Sequence, residues 1–451
     1  MNNLNIVSAY VGSDQVERLY LGSDIVWEMT QPTPPEPVVP LPPIQDGTYT
    51  PLSFLMLDDG YVGLRCLSGL GASQASYALG APKSLVYEIY GPGFTPPQYW
   101  ETGQTTVSSG TLTITNQEFG QKELIFVPSG YTICFFGPNN SQGGLATYSG
   151  TSMSALSTRW CFDAFYVSGS ASNTALVYGN TESILMTEYD FSSMPRGKYN
   201  LGSLIYANGG LFYDYNLPET SKIAFPSNIE DTFKVCETGG LAVLDQRCYY
   251  QMFMGCQKLT KAPMFPSTTD SLEPYCCYEM FRGCTNLTTA PEFSVQNDYE
   301  IQSVKYQTCA YMFKDCTSLT TAPELPATSL SGKCYAFMFQ GCTSLTTAPS
   351  TLPATTLYSG CYQWMFKDCT SLTTAPVLPA DTLVSSCYAA MFQGCTSLSY
   401  IKCLATTGTN QAPGWLAGVS STGTFVKHPN AAWTTGGDGI PDGWTVQDAV
   451  V

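Results

Sequence analysis

From residue 248 the chain repeats one pattern of apolar and polar positions six times: Cys, three residues, Met-Phe, two residues, Cys, two residues, Leu and then, in most copies, Thr-Thr-Ala-Pro. The second cysteines are Cys256, Cys284, Cys316, Cys342, Cys369 and Cys395, so successive copies stand 28, 32, 26, 27 and 26 residues apart. A period near 26 predicts a solenoid of stacked units, each too small to bury its apolar face alone. Within one unit Cys334, Met338, Phe339, Cys342 and Leu345 recur three and four apart, which is the spacing of one helix face. Gly341 then suits a helix stop, and Thr346-Thr347-Ala348-Pro349 supplies the short strand and turn. The expected unit is a short helix followed by a short strand.

Upstream the period changes to that of strands. In residues 1–30, Gly-Ser-Asp recurs at Gly12 and Gly22, and Leu19, Tyr20, Leu21, Ile25, Val26 and Trp27 surround the second copy. This predicts a β-meander of about three strands, too small to stand alone in water and therefore docked on a partner. Residues 31–44 hold a proline-dense run that predicts a semi-rigid polyproline II spacer. Residues 45–178 contain short β-rich runs such as Leu85–Tyr90, Thr111–Thr115 and Tyr131–Phe136, separated by turn residues, the pattern of a β-sandwich. Residues 179–243 read as degenerate repeats that open the array. After Cys403, Trp415, Trp433, Trp444 and the turn Gly436–Gly443 predict a β-rich cap over residues 404–451.

Charge and composition narrow the chemistry. The net charge is −16 and no basic stripe occurs, so neither nucleic acid nor an anionic membrane surface is an expected partner. The start, Met1–Asp14, has no positive region followed by an apolar one and is read as lacking a signal peptide. No apolar run is long enough to span a bilayer. His428 is the single histidine, next to a proline in a polar stretch, which disfavours triad and His-metal chemistry. Asp58-Asp59 and the pair Asp438 and Asp442 read as turn residues rather than a catalytic pair or a calcium loop. No cofactor, no metal and no enzymatic activity are expected.

The array is rich in cysteine. Two cysteines eight apart on a helix are separated by about 12 Å of rise, beyond bridging range, and helices stack about 10 Å apart. Zinc would want closer pairs and histidine. Free, buried cysteines are the simplest reading, with Cys276-Cys277 and Cys309 breaking the pattern. The residue before each Met varies: Gln251, Glu279, Tyr311, Phe337, Trp364, Ala390. Stacking aligns the aromatics Tyr311, Phe337 and Trp364 as a row with a step of roughly 10 Å, either a ligand-binding row suited to sugar rings or filling for the grooves between repeats.

Met-Phe-x-x-Cys-x-x-Leu-x-x-Ala-Pro, with Leu-Pro-Ala-Thr-x-Leu at Leu325–Leu330 and Leu352–Leu357, resembles the BspA-type leucine-rich repeats of gut Bacteroidetes and their phages, as does the tail from Ser421 to Val446. Glu17–Trp27 followed by prolines is similar to short N-terminal anchors on virion proteins of crAss-like phages. The patterns along the chain and this resemblance, which covers roughly residues 179–451, together predict a multidomain β-rich chain: an anchor (1–30), a linker (31–44), a β-sandwich (45–178), an α/β leucine-rich-repeat solenoid (179–403) and a cap (404–451). The resemblance implies a phage head fibre or decoration protein, attached to a capsid or tail protein through Leu19, Tyr20, Leu21, Ile25, Val26 and Trp27. Projections of that class are often homotrimers located on the virion after assembly in the host cytoplasm, and the aromatic row Tyr311, Phe337 and Trp364, if it binds rather than packs, would meet a host-surface or mucin glycan. The alternative is a bacterial surface adhesin carrying the same repeats.

Overall fold

A computed structural model gives the architecture for residues 18–21, 24–28, 51–65, 83–94, 106–114, 122–136, 164–170, 174–180, 222–226, 229, 233–234, 242–244, 249, 251–263, 268–272, 274–293 and 303–450. The backbone divides into two compact units, Met1–Val39 and Pro40–Val451. In the first, β1 (Arg18–Leu21) and β2 (Asp24–Glu28) form an antiparallel pair that sets Leu19 opposite Trp27 and Tyr20 opposite Ile25, with a bulge between Leu19 and Tyr20. The third strand of the expected meander and the proline-rich spacer lie outside the described residues.

The second unit opens with two facing sheets. Strands β3 (Leu52–Met56), β5 (Lys83–Tyr90), β6 (Ser108–Ile114), β8 (Thr132–Phe136) and β10 (Ala175–Asn180) belong to one sheet. Strands β4 (Gly60–Arg65), β7 (Lys122–Val127) and β9 (Ala164–Gly169) make the other, in the order β7-β4-β9. Inward residues alternate along the strands, as Val62 and Leu64 do on β4, and Phe165 of the smaller sheet meets Phe54 and Phe135 of the larger at centroid distances of 5.0 and 5.1 Å. Asp58 and Asp59 tie the β3–β4 turn: Ser170 Oγ donates to Asp58 at 2.6 Å and the Ser129 amide to Asp59 at 2.8 Å.

The larger sheet runs on into the array. β10 pairs in parallel with β11 (Ile223–Ala224) and β12 (Phe233–Lys234), so residue 178 falls inside a strand rather than at a seam. One apolar cluster extends from Leu52 through every rung to Trp444. Next come β13 (Ala242–Leu244), β14 (Thr268–Leu272), β15 (Ser303–Val304) and β16 (Ser329–Leu330), a parallel wall of one strand per repeat. The Thr-Thr segments build a second wall through parallel bridges Lys261–Thr289–Thr321–Thr347. Exposed hydroxyls reinforce it, Thr288 donating to the Thr260 carbonyl at 2.9 Å and Thr346 to that of Thr320 at 3.1 Å.

The Cys-to-Cys segment is not a helix. Amides alternate along it: Met338, Gln340 and Cys342 bond back three residues, to Tyr335, Phe337 and Phe339, while Tyr335, Phe337, Phe339 and Gly341 reach the next rung at Cys361, Gln363, Met365 and Lys367. Every fourth residue is left-handed, as at Lys333 (φ 57°), Phe337 (61°) and Gly341 (76°), which breaks any right-handed helix. Gly341 is therefore a turn residue inside the rung rather than a helix stop. The step is also half of the helical expectation. Phe253, Phe281, Phe313, Phe339, Phe366 and Phe392 stack as a spine with centroids 5.4–5.5 Å apart and planes within 10°. The chain is thus β-rich, with a β-solenoid of about six turns in place of the α/β repeat.

A degenerate seventh rung begins the cap: Phe392 and Gly394 donate to the Trp415 and Ala417 carbonyls, and Gly414 and Gly418 are left-handed like the columns beneath them. Then β17 (Tyr400–Cys403), β18 (Thr424–Lys427) and β19 (Thr445–Asp448) close the end in parallel. Asp438 accepts the Gly414 amide at 2.7 Å, so it holds the cap to this rung. No helix among the described residues is long and apolar enough to cross a membrane.

Candidate functional site

The variable column before each Met is the middle left-handed position of each rung: Gln251 (φ 54°), Glu279 (54°), Tyr311 (59°), Phe337 (61°), Trp364 (56°) and Ala390 (48°). Such a φ costs a non-glycine residue roughly 1–2 kcal/mol, and bulky side chains adopt it rarely. The neighbouring Met and Phe go inward at 0% exposure, whereas Tyr311, Phe337 and Trp364 are half-buried along a ridge. The backbone thus holds three large aromatics at the surface in a conformation where glycine would be easier.

The ridge brings the three residues together, but as one stack rather than as spaced platforms. Tyr311 and Phe337 lie face to face, 4.2 Å apart and 10° from parallel, and Tyr278 leans on Tyr311 at 5.5 Å. These two rings cover each other's faces. Trp364 differs: its plane is turned 69° from that of Phe337 at 4.4 Å, and the next rung offers it only Ala390. Of the three, it has the ring least committed to stacking, which separates Trp364 from the packing role of the others.

The other end of the ridge is polar, a feature missed by attention to aromatics alone. Glu279, 5% exposed, binds Arg282 at 2.6 Å and accepts Gln251 Nε2 at 2.5 Å. Burial first, and then the Glu279 carboxylate, push the Tyr311 hydroxyl above its ordinary pKa, while Arg282 pulls the other way. The Lys314 ammonium lies 5.8 Å from the Tyr311 ring. Glu279 stands in the same column as the aromatics, with Arg282 three residues on, so the column itself carried the signal.

The cysteines are interior. Every described one is a buried free thiol. In the second-cysteine column, from the second rung on, the sulfur donates to a phenylalanine carbonyl one rung back: Cys284 to Phe253 at 2.9 Å, Cys316 to Phe281 at 3.1 Å, Cys342 to Phe313 at 3.0 Å, Cys369 to Phe339 at 3.1 Å and Cys395 to Phe366 at 2.9 Å. Burial pushes the thiols of Cys361, Cys395 and Cys403 up to about 12, so at neutral pH they are protonated donors, not nucleophiles. Among the described residues no group of three His, Cys, Asp or Glu side chains is placed to hold a metal ion.

No protein-family model matches the sequence. No curated protein matches it. Among solved structures the chain is similar to a leucine-rich repeat protein from Bacteroides ovatus, at 18% identity and a TM-score of 0.24, over 46% of this chain and 49% of that one. The match spans about half the length of that protein, and at this score it carries no weight for fold or function. The β-solenoid rests on its own hydrogen bonds.

Proposed function

We propose that the chain is a non-enzymatic virion projection of a phage of gut Bacteroidetes, a head fibre or decoration protein. It joins a capsid or tail protein through residues 1–30 and presents the solenoid as a homotrimer to a host-surface or mucin glycan. The observation that carries this reading is the division into a small N-terminal unit and one continuous body of more than 400 residues. A unit with one described strand pair is too small to be stable alone, so it serves best as a tether docked on something else. The sequence resemblance of Glu17–Trp27 to phage anchors points the same way.

Deleting residues 1–44 should leave a folded, monodisperse protein that no longer joins particles when supplied during infection. Normal incorporation of the truncated chain would overturn the tether, and finding the full chain on bacterial cells instead of particles would favour the adhesin reading. Trp364 is the ridge residue we assign to glycan. Trp364→Ala should weaken binding to immobilised mucin about tenfold, taking as guide the lower part of the ~1–3 kcal/mol that stacking of a nucleobase on an aromatic side chain supplies. Its circular dichroism should match the parent, and unchanged binding would demote the whole ridge to packing.

A further inference from the structure

Two cysteines that break the repeat meet inside the solenoid. The residue after the first cysteine of each unit is buried and tyrosine in four copies: Tyr249, Tyr335, Tyr362 and Tyr388. Tyr335 and Tyr362 stack at 5.8 Å, and Tyr388 continues the column at 6.0 Å. In the second and third copies the same position is Cys277 and Cys309. Their register is fixed by the rung bonds, the Cys277 amide donating to the Thr308 carbonyl at 3.0 Å and the Cys309 amide to Cys334 at 3.0 Å. Adjacent hydrogen-bonded strands lie about 4.8 Å apart, inside the Cα range that a disulfide needs.

The surroundings single this pair out. In the second-cysteine column the five thiols from Cys284 to Cys395 are each committed to a backbone carbonyl. Cys277 instead has a thiol for its hydrogen-bond partner, Cys276 at 3.6 Å, and burial first, then its Cys276 and Cys309 neighbours, push its own thiol well up. The two rungs concerned are also joined by the longest connection in the array, the 32 residues from Cys284 to Cys316. A long connection is the least effective at holding neighbouring rungs together, and a cross-link there removes the most chain entropy from the unfolded state.

We infer that Cys277 and Cys309 form an oxidation-dependent staple between the second and third rungs, open in a reducing cell and closed by peroxide outside it. One thiol takes an oxygen from hydrogen peroxide to become a sulfenic acid, releasing water. The second thiol then displaces a second water to form the S–S bond, so two thiols are oxidised and one peroxide is reduced. Closure is slow, because both sulfurs are buried away from the oxidant. This staple is independent of the proposed virion role.

Full-length protein prepared with a phosphine reductant, freed of it and held in dilute peroxide should give a non-reducing peptide map that joins the Cys277 and Cys309 peptides. All but two of the eighteen thiols should still react after unfolding. The oxidised protein should melt several degrees higher than the reduced one, and Cys309→Ser should abolish both the link and the rise. A link between Cys276 and Cys277, a link within the Cys284–Cys316–Cys342 column, eighteen reactive thiols, or a rise that survives in Cys309→Ser would each overturn the staple.

Discussion

Phe339→Ala should cost the solenoid about 3–5 kcal/mol, the range for emptying a fully buried phenylalanine site. Phe339 is 0% exposed and lies between Phe313 at 5.5 Å and Phe366 at 5.4 Å, so one deletion opens two stacking contacts at once. The site has little freedom to collapse, because both flanking rungs are pinned by their own backbone ladders. A stacked array is stabilised by nearest-neighbour terms, and a weak rung in its middle divides it. Denaturant unfolding of the variant should therefore lose its single transition, and hydrogen exchange should quicken first at residues 334–347. Thr346→Ala, which removes one exposed hydroxyl donating to Thr320, should cost about 1 kcal/mol or less. A Phe339→Ala loss no larger than that of Thr346→Ala would mean that the spine is not what holds the rungs.

Six stacked units were legible in the residues, and so were the inward cysteines, Met and Phe. The local conformation was not, for a definable reason. Cys334, Tyr335, Met338, Phe339 and Cys342 follow a period of four, which over nine residues is nearly indistinguishable from a helical 3.6. What separates the two is the sign of φ at every fourth position, and Phe337 and Trp364 are residues that propensity never assigns there. The column of Gly255, Gly283, Asp315, Gly341, Asp368 and Gly394 was the available clue, since glycine and aspartate recurring four residues after the variable position mark left-handed turns. The mistaken helix carried a second error with it: helices stack at about 10 Å and solenoid strands at about half that. At the wider step the aromatics of the ridge would stand apart as platforms. At the true one Tyr311 and Phe337 stack on each other, which leaves the ligand-binding expectation resting on Trp364. Likewise Cys277 and Cys309, irregular in the sequence, become neighbours only once the rungs are in register.

The closure of the solenoid depends on one side chain more than on any other, and Trp415→Ala should release it. Trp415 is 0% exposed and terminates the tyrosine column, 6.2 Å from Tyr388, with Trp433 stacked on it at 4.9 Å and Phe425 edge-on at 6.0 Å. Its indole N–H donates to the buried Gly439 carbonyl at 3.1 Å. Alanine would empty the junction between the sixth rung and the cap, at about 3–5 kcal/mol, and strand that carbonyl at a further ~1–3 kcal/mol. Trp415→Phe keeps most of the packing and loses only the bond, so it should fall between the two. With the cap loosened, β17 becomes an open parallel edge beside the apolar Ile401 and Cys403, and uncapped edges of this kind pair with other chains. The expected result is concentration-dependent association of Trp415→Ala by sedimentation velocity, below the temperature at which the parent unfolds, with Trp415→Phe retaining the parent's size. If Trp415→Ala sediments like the parent and melts within a few degrees of it, the cap must be held instead by the parallel pairing of β18 on β17, and the indole is only filling space.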